Sequence, residues 1–400
     1  MKTDYGRFAG MALDDPRLPT PAFVISEEKL ARNLEEAKAK AKALGITLRP
    51  HLKTHKCLRI AKEQMISPEG PATVSTIAEA EAFAAAGVKD LIYAVGIAPQ
   101  KLAAVDRIRK SGCDLKILLD SVPAAQAVAE WSRTHQTQLP ALIEIDVDGH
   151  RSGIHPDSPA LLEVAAALSQ GGGIAGVLTH AGGSYDCRSA DEIRQAAERE
   201  RDGIVLAARR LREAGYSCPI VSLGSTPTLW FAQNETGVTE VRAGVYALFD
   251  LFMTNLGICT RDRIAGAVLA TVIGCQREKG QVIVDAGFLA MSRDRGTQRQ
   301  ARDYGFGLVC GLDGEPLQGG TIIMSGTNQE HGILMRAPWA ADQTPLNPDD
   351  LPYGSRVLVL PNHACPTAAP YRTLLFTKSG VISAESPHVR GWDFQLEDLS

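Results

Sequence analysis

Within the eight residues Arg49-Pro50-His51-Leu52-Lys53-Thr54-His55-Lys56 the chain places two lysines, two histidines and an arginine. Thr47 and Leu48 lead in as a short extended segment, Pro50 stops it, and a helical pattern resumes after Cys57. Ammonium groups held that close repel one another, and partial burial penalises their charge; both effects lower a lysine pKa. A neutral lysine attacks aldehydes, the chemistry of Schiff-base enzymes. Taken alone, the octapeptide is more simply a basic surface loop. Its position in the chain decides between the two.

A second candidate is His363-Ala364-Cys365, directly after the apolar run Val357–Leu360. Residues i and i+2 of an extended segment point the same way, so imidazole and thiolate can converge on one ion. Such a pair suits zinc and leaves coordination positions open for water and substrate, as in a catalytic site. The simpler reading of an isolated His-x-Cys is coincidence, since structural zinc sites use four ligands.

The elements that must position these groups alternate regularly. Thr20–Ile25 reads as a short strand, and Ser26, Glu27 and Glu28 then open a helix whose apolar positions Leu30, Leu34, Ala37, Ala41 and Leu44 keep helical spacing up to Gly45. Strand-like runs follow at Thr47–Arg49, Ala72–Ser75, Leu91–Ala94, Leu115–Leu119, Leu142–Asp146, Gly176–Thr179, Ile220–Leu223 and Glu240–Arg242. Alanine-rich helical patterns separate them, among them Ile77–Ala86, Ala124–Arg133, Pro159–Ser169 and Ala190–Ala214. Eight βα units over about 200 residues predict a closed (β/α)8 TIM-like barrel, with chemistry at the C-terminal strand ends. An open doubly wound sheet would bring a Gly-x-Gly-x-x-Gly turn after its first strand, which this chain lacks.

After Asp250 the texture becomes all-β, with runs at Ala267–Ile273, Gln281–Asp285, Leu308–Cys310, Thr321–Met324, Arg356–Leu360 and Leu374–Thr377. The predicted division is a barrel over residues 20–250 and a β-domain over 251–400, completed by residues 1–19. The fold class is therefore α/β, a barrel followed by an all-β C-terminal domain.

Bulk properties exclude several functions. Hydrophobic content of 44% with 22% charged residues is ordinary for a soluble globular protein, and a net charge of −4 gives no reason to expect nucleic acid or an anionic membrane. No apolar run approaches a membrane span, and the stretch Met1–Arg7 lacks the apolar core of a signal peptide. The eight cysteines are scattered without paired spacing, which argues against a disulfide framework. The expected setting is cytoplasmic.

In a barrel, Lys53 follows the first strand; His150 and Arg151 follow the fifth; Thr179-His180-Ala181-Gly182-Gly183-Ser184-Tyr185 follows the sixth. Gly224-Ser225-Thr226-Pro227 follows the seventh and Ala243-Gly244-Val245-Tyr246 the eighth. Loops after the seventh and eighth strands of such barrels commonly hold phosphate. Gly224 lets the backbone approach, Ser225 and Thr226 add hydroxyls, and Gly244 opens the facing loop; the plainer account of Gly-Ser-Thr-Pro is a turn and helix cap. Phosphate and a strand-end lysine in one barrel mouth suggest pyridoxal phosphate.

The segments Arg49–His55, Thr179–Tyr185, Gly224–Pro227 and Pro361-Asn362-His363-Ala364-Cys365 resemble the D-serine dehydratase and D-threonine aldolase family, pyridoxal phosphate enzymes with an alanine-racemase-like barrel followed by a β-domain. The resemblance covers the chain from Thr20 to Trp392. It implies that Lys53 forms the Schiff base, that Arg151 lies near the cofactor's phenolic oxygen and Tyr185 near its ring nitrogen, and that Gly224, Ser225, Thr226, Gly244 and Tyr246 hold the phosphate. It also implies a divalent metal on His363 and Cys365, zinc first, with manganese or cobalt also compatible. Cysteine at the second ligand position is the form of the dehydratases, where the aldolases carry aspartate, so the chain tilts toward elimination. The implied reaction is dehydration of a β-hydroxy-D-amino acid such as D-serine, D-threonine or 3-hydroxy-D-aspartate to a 2-oxo acid and ammonia. Retro-aldol cleavage to glycine and an aldehyde is the alternative, and a non-catalytic pyridoxal phosphate carrier is the alternative of another class. Relatives imply a homodimer. Roles for Glu330, His331 and Cys187 stay open.

Overall fold

The computed structural model describes residues 6–393; residues 1–5 and 394–400, which the sequence reading assigns to the β-domain, lie outside the described residues. The chain divides into two compact units, Glu35–Gly244 and, separately, Val245–Arg390 together with the described residues up to Leu34.

The first strand, β1 (Ala22–Ser26), is followed by eight parallel strands. These are β2 (Thr47–Leu48), β3 (Ala72–Val74), β4 (Asp90–Gly96), β5 (Asp114–Leu119), β6 (Pro140–Ile145), β7 (Gly173–Thr179), β8 (Ile220–Leu223) and β9 (Glu240–Val241). They lie in the order β2-β9-β8-β7-β6-β5-β4-β3, and a bridge between His51 and Thr73 joins the two outermost strands. Every strand expected from the sequence between residues 47 and 242 is present. Strands buried on both faces read as unbroken apolar runs rather than alternations, and β5 and β6 fit this, each with five consecutive buried residues. Ile92, Leu118, Leu142, Ala175 and Leu178 form one cluster inside the unit. Removing a side chain such as Leu118 there would cost about 2–5 kcal/mol, the usual penalty for an unfilled core site.

The second unit carries a nine-stranded sheet in which β10 (Gly266–Gln276), β11 (Gln281–Val284), β12 (Gly307–Cys310), β13 (Ile322–Thr327), β14 (Gly332–Arg336), β15 (Arg356–Pro361), β16 (Thr373–Lys378) and β17 (Val381–Pro387) join β1. The order is β11-β14-β13-β12-β15-β10-β1-β16-β17. Beyond a bulge between Val272 and Gly274 the second half of β10 pairs with β11, which closes six strands into a ring. The first half of β10 pairs with β1.

Strand β1 therefore does not sit where the sequence puts it. Counted with the barrel from residue 20, it pairs antiparallel with β10 and parallel with β16 in the second unit. A five-residue apolar strand carries no mark of its sheet, and here it is buried on both faces between two partners. Strands β14 and β17 were not foreseen. The first opens behind an exposed turn and the second has a polar, partly exposed pattern, so neither shows a clean apolar run.

Candidate active site

The basic octapeptide is not one patch. Arg49 turns into the barrel, where its Nε donates to Glu240 at 2.8 Å and its two terminal nitrogens reach Asp90 at 2.8 and 3.0 Å. His55 is buried against Gln64, and its Nδ1 accepts the Cys57 N–H. Lys56, for which solvation is the simple sequence reading, instead pairs with the buried Glu79 at 3.0 Å. Lys53, on a short 3-10 turn over Leu52–Thr54, remains exposed and without a carboxylate partner among the described residues. Of five cationic or ionisable groups, the fold spends three elsewhere and leaves Lys53 and His51 at the strand end.

Around them the mouth of the parallel sheet is electropositive. His51 is held well below its ordinary pKa by burial first and then by Lys53, Arg242 and His180. His180, after β7, is pushed down to about 3 chiefly by burial, with Lys53, Arg242 and Arg151 adding to the effect. Both imidazoles are therefore neutral. The His180 Nδ1–H donates to the Gly224 carbonyl at 3.0 Å, because a carbonyl can only accept, and this leaves Nε2 as a lone-pair acceptor. Tyr185, on the turn Gly182–Tyr185, stands with its ring centroid 6.0 Å from that of His180. Arg151 is largely exposed, with its Nη2 3.3 Å from Glu144.

At the end of β8, Gly224 has φ +129°, and a Cβ there would lie 2.7–2.9 Å from Val241 and the Arg242 backbone. Ser225 then caps the helix Thr226–Phe231 through a capping box with Thr228. The hydroxyls of Ser225, Thr228 and Ser184 cluster at about 3 Å. The turn-and-cap account and the phosphate account thus share the same residues: the cap gathers hydroxyls and a helix N-terminus after β8. Gly244 packs on the loop of Lys53, its would-be Cβ 2.6 Å from the His51 carbonyl. Tyr246 is fully buried in the second unit.

Two residues at this mouth escaped the sequence reading. Arg242 is buried, donates to the Thr179 carbonyl at 2.8 Å and to Ser222 at 3.2 Å, and its Nε finds no acceptor among the described residues. Burial pulls it down to about 10, so it stays charged at neutral pH. Glu200, buried within the helix Ala190–Glu213, accepts the backbone N–H of Ala181 at 2.9 Å and of Gly224 at 3.1 Å. It ties the ends of β7 and β8 together. Its carboxyl is raised by burial, against which those two N–H groups work.

The donor set fits pyridoxal phosphate. An exposed lysine, neutral imidazoles ringed by cations, a buried guanidinium N–H in need of an acceptor and a glycine where no side chain fits would suit an aldehyde carrying an anionic handle.

The second unit holds the other constellation. His363 is the extended residue before the helix Ala364–Ala368, and Cys365 lies in that helix's first turn. The i, i+2 argument from an extended chain is therefore corrected, although the two side chains still meet. The His363 Nδ1–H donates to Asp294 at 2.6 Å. Burial opposes the charged imidazole, but Cys365, Asp294 and Asp250 outweigh it and raise His363 well above its ordinary value. Asp294 is lowered in return by its bond to His363. A carboxylate on one ring nitrogen fixes the tautomer and leaves Nε2 for a cation, the usual outer-shell arrangement of metal-bound histidine. Among the described residues no group of three or more His, Cys, Asp or Glu side chains is placed to enclose an ion. His363 and Cys365 fit an open two-ligand site, backed by Asp294. Glu330 and His331 lie in the exposed turn between β13 and β14.

An eight-stranded parallel unit and a predominantly antiparallel β-unit in one chain make up an alanine-racemase-like fold. A family model described as "Alanine racemase, N-terminal domain" matches residues 25–251, and one described as "Putative serine dehydratase domain" matches 265–377. The chain belongs to this family, the one that holds the D-serine dehydratases and D-threonine aldolases. It is 49% identical to a D-threo-3-hydroxyaspartate dehydratase of Delftia sp. (strain HT23), over 88% of this chain and 93% of that one. It is 27% identical to the D-serine dehydratase of Dictyostelium discoideum, over 89% and 92% of the two chains. A solved cysteine-to-alanine mutant of a D-threo-3-hydroxyaspartate dehydratase, in the metal-free form, superposes with a TM-score of 0.91 at 45% identity, covering 96% of this chain and all of that one. No helix among the described residues is long and apolar enough to cross a membrane.

Proposed function

We propose that this protein is a pyridoxal phosphate- and metal-dependent dehydratase of β-hydroxy-D-amino acids, with D-threo-3-hydroxyaspartate the leading substrate. The observation that carries the reading is the pairing of the His363 and Cys365 side chains with Asp294 behind them, on a chain 49% identical to a dehydratase of that substrate. Zinc suits this nitrogen and sulfur donor set best.

Pyridoxal phosphate, when bound, stabilises negative charge at Cα, and a cation on His363 and Cys365 lends Lewis-acid assistance to departure of the β-hydroxyl. The chain's own residues do the rest. Lys53, exposed and free of a carboxylate partner, takes the proton from Cα. His180 faces the mouth with an acceptor only, since its one N–H is committed to Gly224. Arg151, Arg242 and Lys53 supply positive charge for the anionic groups, and Gly224, Ser225, Thr226, Gly244 and Tyr246 are the phosphate-holding set. Tyr185 would flank the ring. A proton leaves Cα and hydroxide leaves Cβ; the released enamine takes a proton at Cβ, and water hydrolyses the resulting imine to a 2-oxo acid and ammonia.

The test is incubation of the purified protein, with cofactor and zinc, with D-threo-3-hydroxyaspartate, D-serine and D-threonine. The expected products are oxo acid and ammonia, abolished by Lys53→Ala and by Cys365→Ala. Glycine and an aldehyde in their place would make the protein an aldolase, and a visible absorbance band that survives Lys53→Ala would remove the lysine from its role.

A further inference from the structure

We infer that Arg293 recognises the distal carboxylate of a dicarboxylic substrate and so sets the preference for 3-hydroxyaspartate over serine and threonine; this rests on the dehydratase reading above. Arg293 immediately precedes Asp294, the carboxylate that holds His363 at 2.6 Å. Its side chain is exposed, and its guanidinium carbon lies 3.9 Å from the centroid of the Phe288 ring. Among the described residues it has no carboxylate partner, whereas Arg295, two residues on, is tied to Asp303 at 2.7 Å. The one acid adjacent to it in sequence is spent on His363. Arg293 is thus a charged fork, stacked on an aromatic face and not neutralised by a carboxylate.

Its backbone is braced rather than loose. Ser292 takes φ +71°, the Asp294 N–H donates to the Ser292 hydroxyl at 3.1 Å, and the Thr297 and Asn362 side chains bond at 3.2 Å, which ties the loop to the residue preceding His363. Stacking on Phe288 removes freedom that a lone arginine would otherwise lose on binding.

The chemistry of the substrate explains why a cation belongs there. In serine the β-carbon carries hydroxyl and hydrogen; in threonine it carries hydroxyl and methyl; in 3-hydroxyaspartate it carries hydroxyl and carboxylate. A group that holds the hydroxyl fixes the carboxylate on the same carbon close by. A guanidinium carried by the residue next to Asp294 in the chain can meet that carboxylate with two parallel hydrogen bonds, a geometry an ammonium does not reproduce. Serine and threonine offer it nothing.

The experiment measures kcat/KM of the cofactor- and zinc-loaded protein on D-threo-3-hydroxyaspartate and on D-serine, for the natural chain, Arg293→Ala and Arg293→Lys. In parallel, D-malate and D-lactate are titrated as inhibitors of D-serine turnover, and melting temperature is followed. The expected result is a hydroxyaspartate-to-serine preference in the natural chain that collapses about 100-fold in Arg293→Ala, mostly through KM, and is partly restored in Arg293→Lys. D-malate inhibition weakens with it, while D-lactate inhibition does not. Equal losses on both substrates, or a preference untouched by Arg293→Ala, overturn the inference. A natural chain that dehydrates D-serine and shows no preference for the dicarboxylic substrate also overturns it, with the dehydratase reading left standing. A natural chain that dehydrates neither overturns both.

Discussion

His363 turns its Nδ1–H to Asp294 at 2.6 Å and so has a single ring nitrogen left to offer a cation. The bond decides which tautomer would meet a metal bound there and how the ring is aimed, and such outer-shell partners typically set metal affinity within about 10–100-fold. Replacing Asp294 with asparagine keeps the shape and removes the charge. The expected outcome is zinc affinity lower by roughly that factor, read by competition with a chromogenic chelator, with the pyridoxal phosphate absorbance unchanged. An unaltered zinc affinity would show that Asp294 does not act through His363.

Glu200 holds two strand ends with one carboxylate, through the backbone N–H groups of Ala181 and Gly224. In Glu200→Ala both buried N–H groups lose their partner, at about 1–3 kcal/mol each. Gly224→Ala attacks the same place from the other side, because its φ of +129° is strained for alanine and its Cβ would meet backbone at 2.8 Å. Both variants are expected to melt earlier and to bind pyridoxal phosphate at least about tenfold more weakly, by absorbance titration. Cofactor affinity left intact in both would move the phosphate away from the end of β8.

How far these sites could be read from the sequence depends on what each residue type advertises. The parallel strands were legible because doubly buried strands are apolar throughout and are punctuated by glycine and acidic residues. The sheet to which β1 belongs was not, since pairing partners are a property of the fold and not of the segment. Lys53 and His363 stood out as reactive types in short motifs. Glu200 could not: it lies in Glu198-Arg199-Glu200-Arg201-Asp202, a run that reads as a solvated helix face, yet it is fully buried. Arg242 was hidden in the same way, as an ordinary basic residue two positions before a glycine. A charge whose partner is a backbone N–H or a distant strand leaves no local pattern.

A second buried carboxyl gives a pH signature. Glu235 is pushed up to about 8, by burial first and by the neighbouring Glu200 second, and one of its oxygens has no partner among the described residues. Its folded value lies above the ordinary 4.5, so across that interval the folded chain keeps a proton that the unfolded chain has released. The contribution to stability is therefore complete below the ordinary value and is lost as pH rises through about 8. Glu235→Gln should be nearly neutral near pH 5 and more stable than the natural chain near pH 9, by on the order of a few kcal/mol at most. Melting temperatures at the two pH values check it, and parallel curves for the two proteins would refute it.

Arg49 belongs to the same octapeptide as Lys53 but does a different job. It is buried between Glu240, itself almost wholly enclosed, and Asp90, which is more than a third exposed and is shared with Lys116 at 2.9 Å. Removing one partner of a buried pair leaves the other charge uncompensated, at about 3–5 kcal/mol. Arg49→Met should therefore lower the denaturant midpoint strongly, and most of that loss traces to the stranded Glu240. The double variant Arg49→Met with Glu240→Gln removes the stranded charge, so it should recover much of the stability, whereas Arg49→Lys should not, because an ammonium cannot span both carboxylates as the guanidinium does. Were the double variant as unstable as the single one, the cost would lie in lost packing of the arginine stem, and the charge account of this corner of the barrel would be wrong.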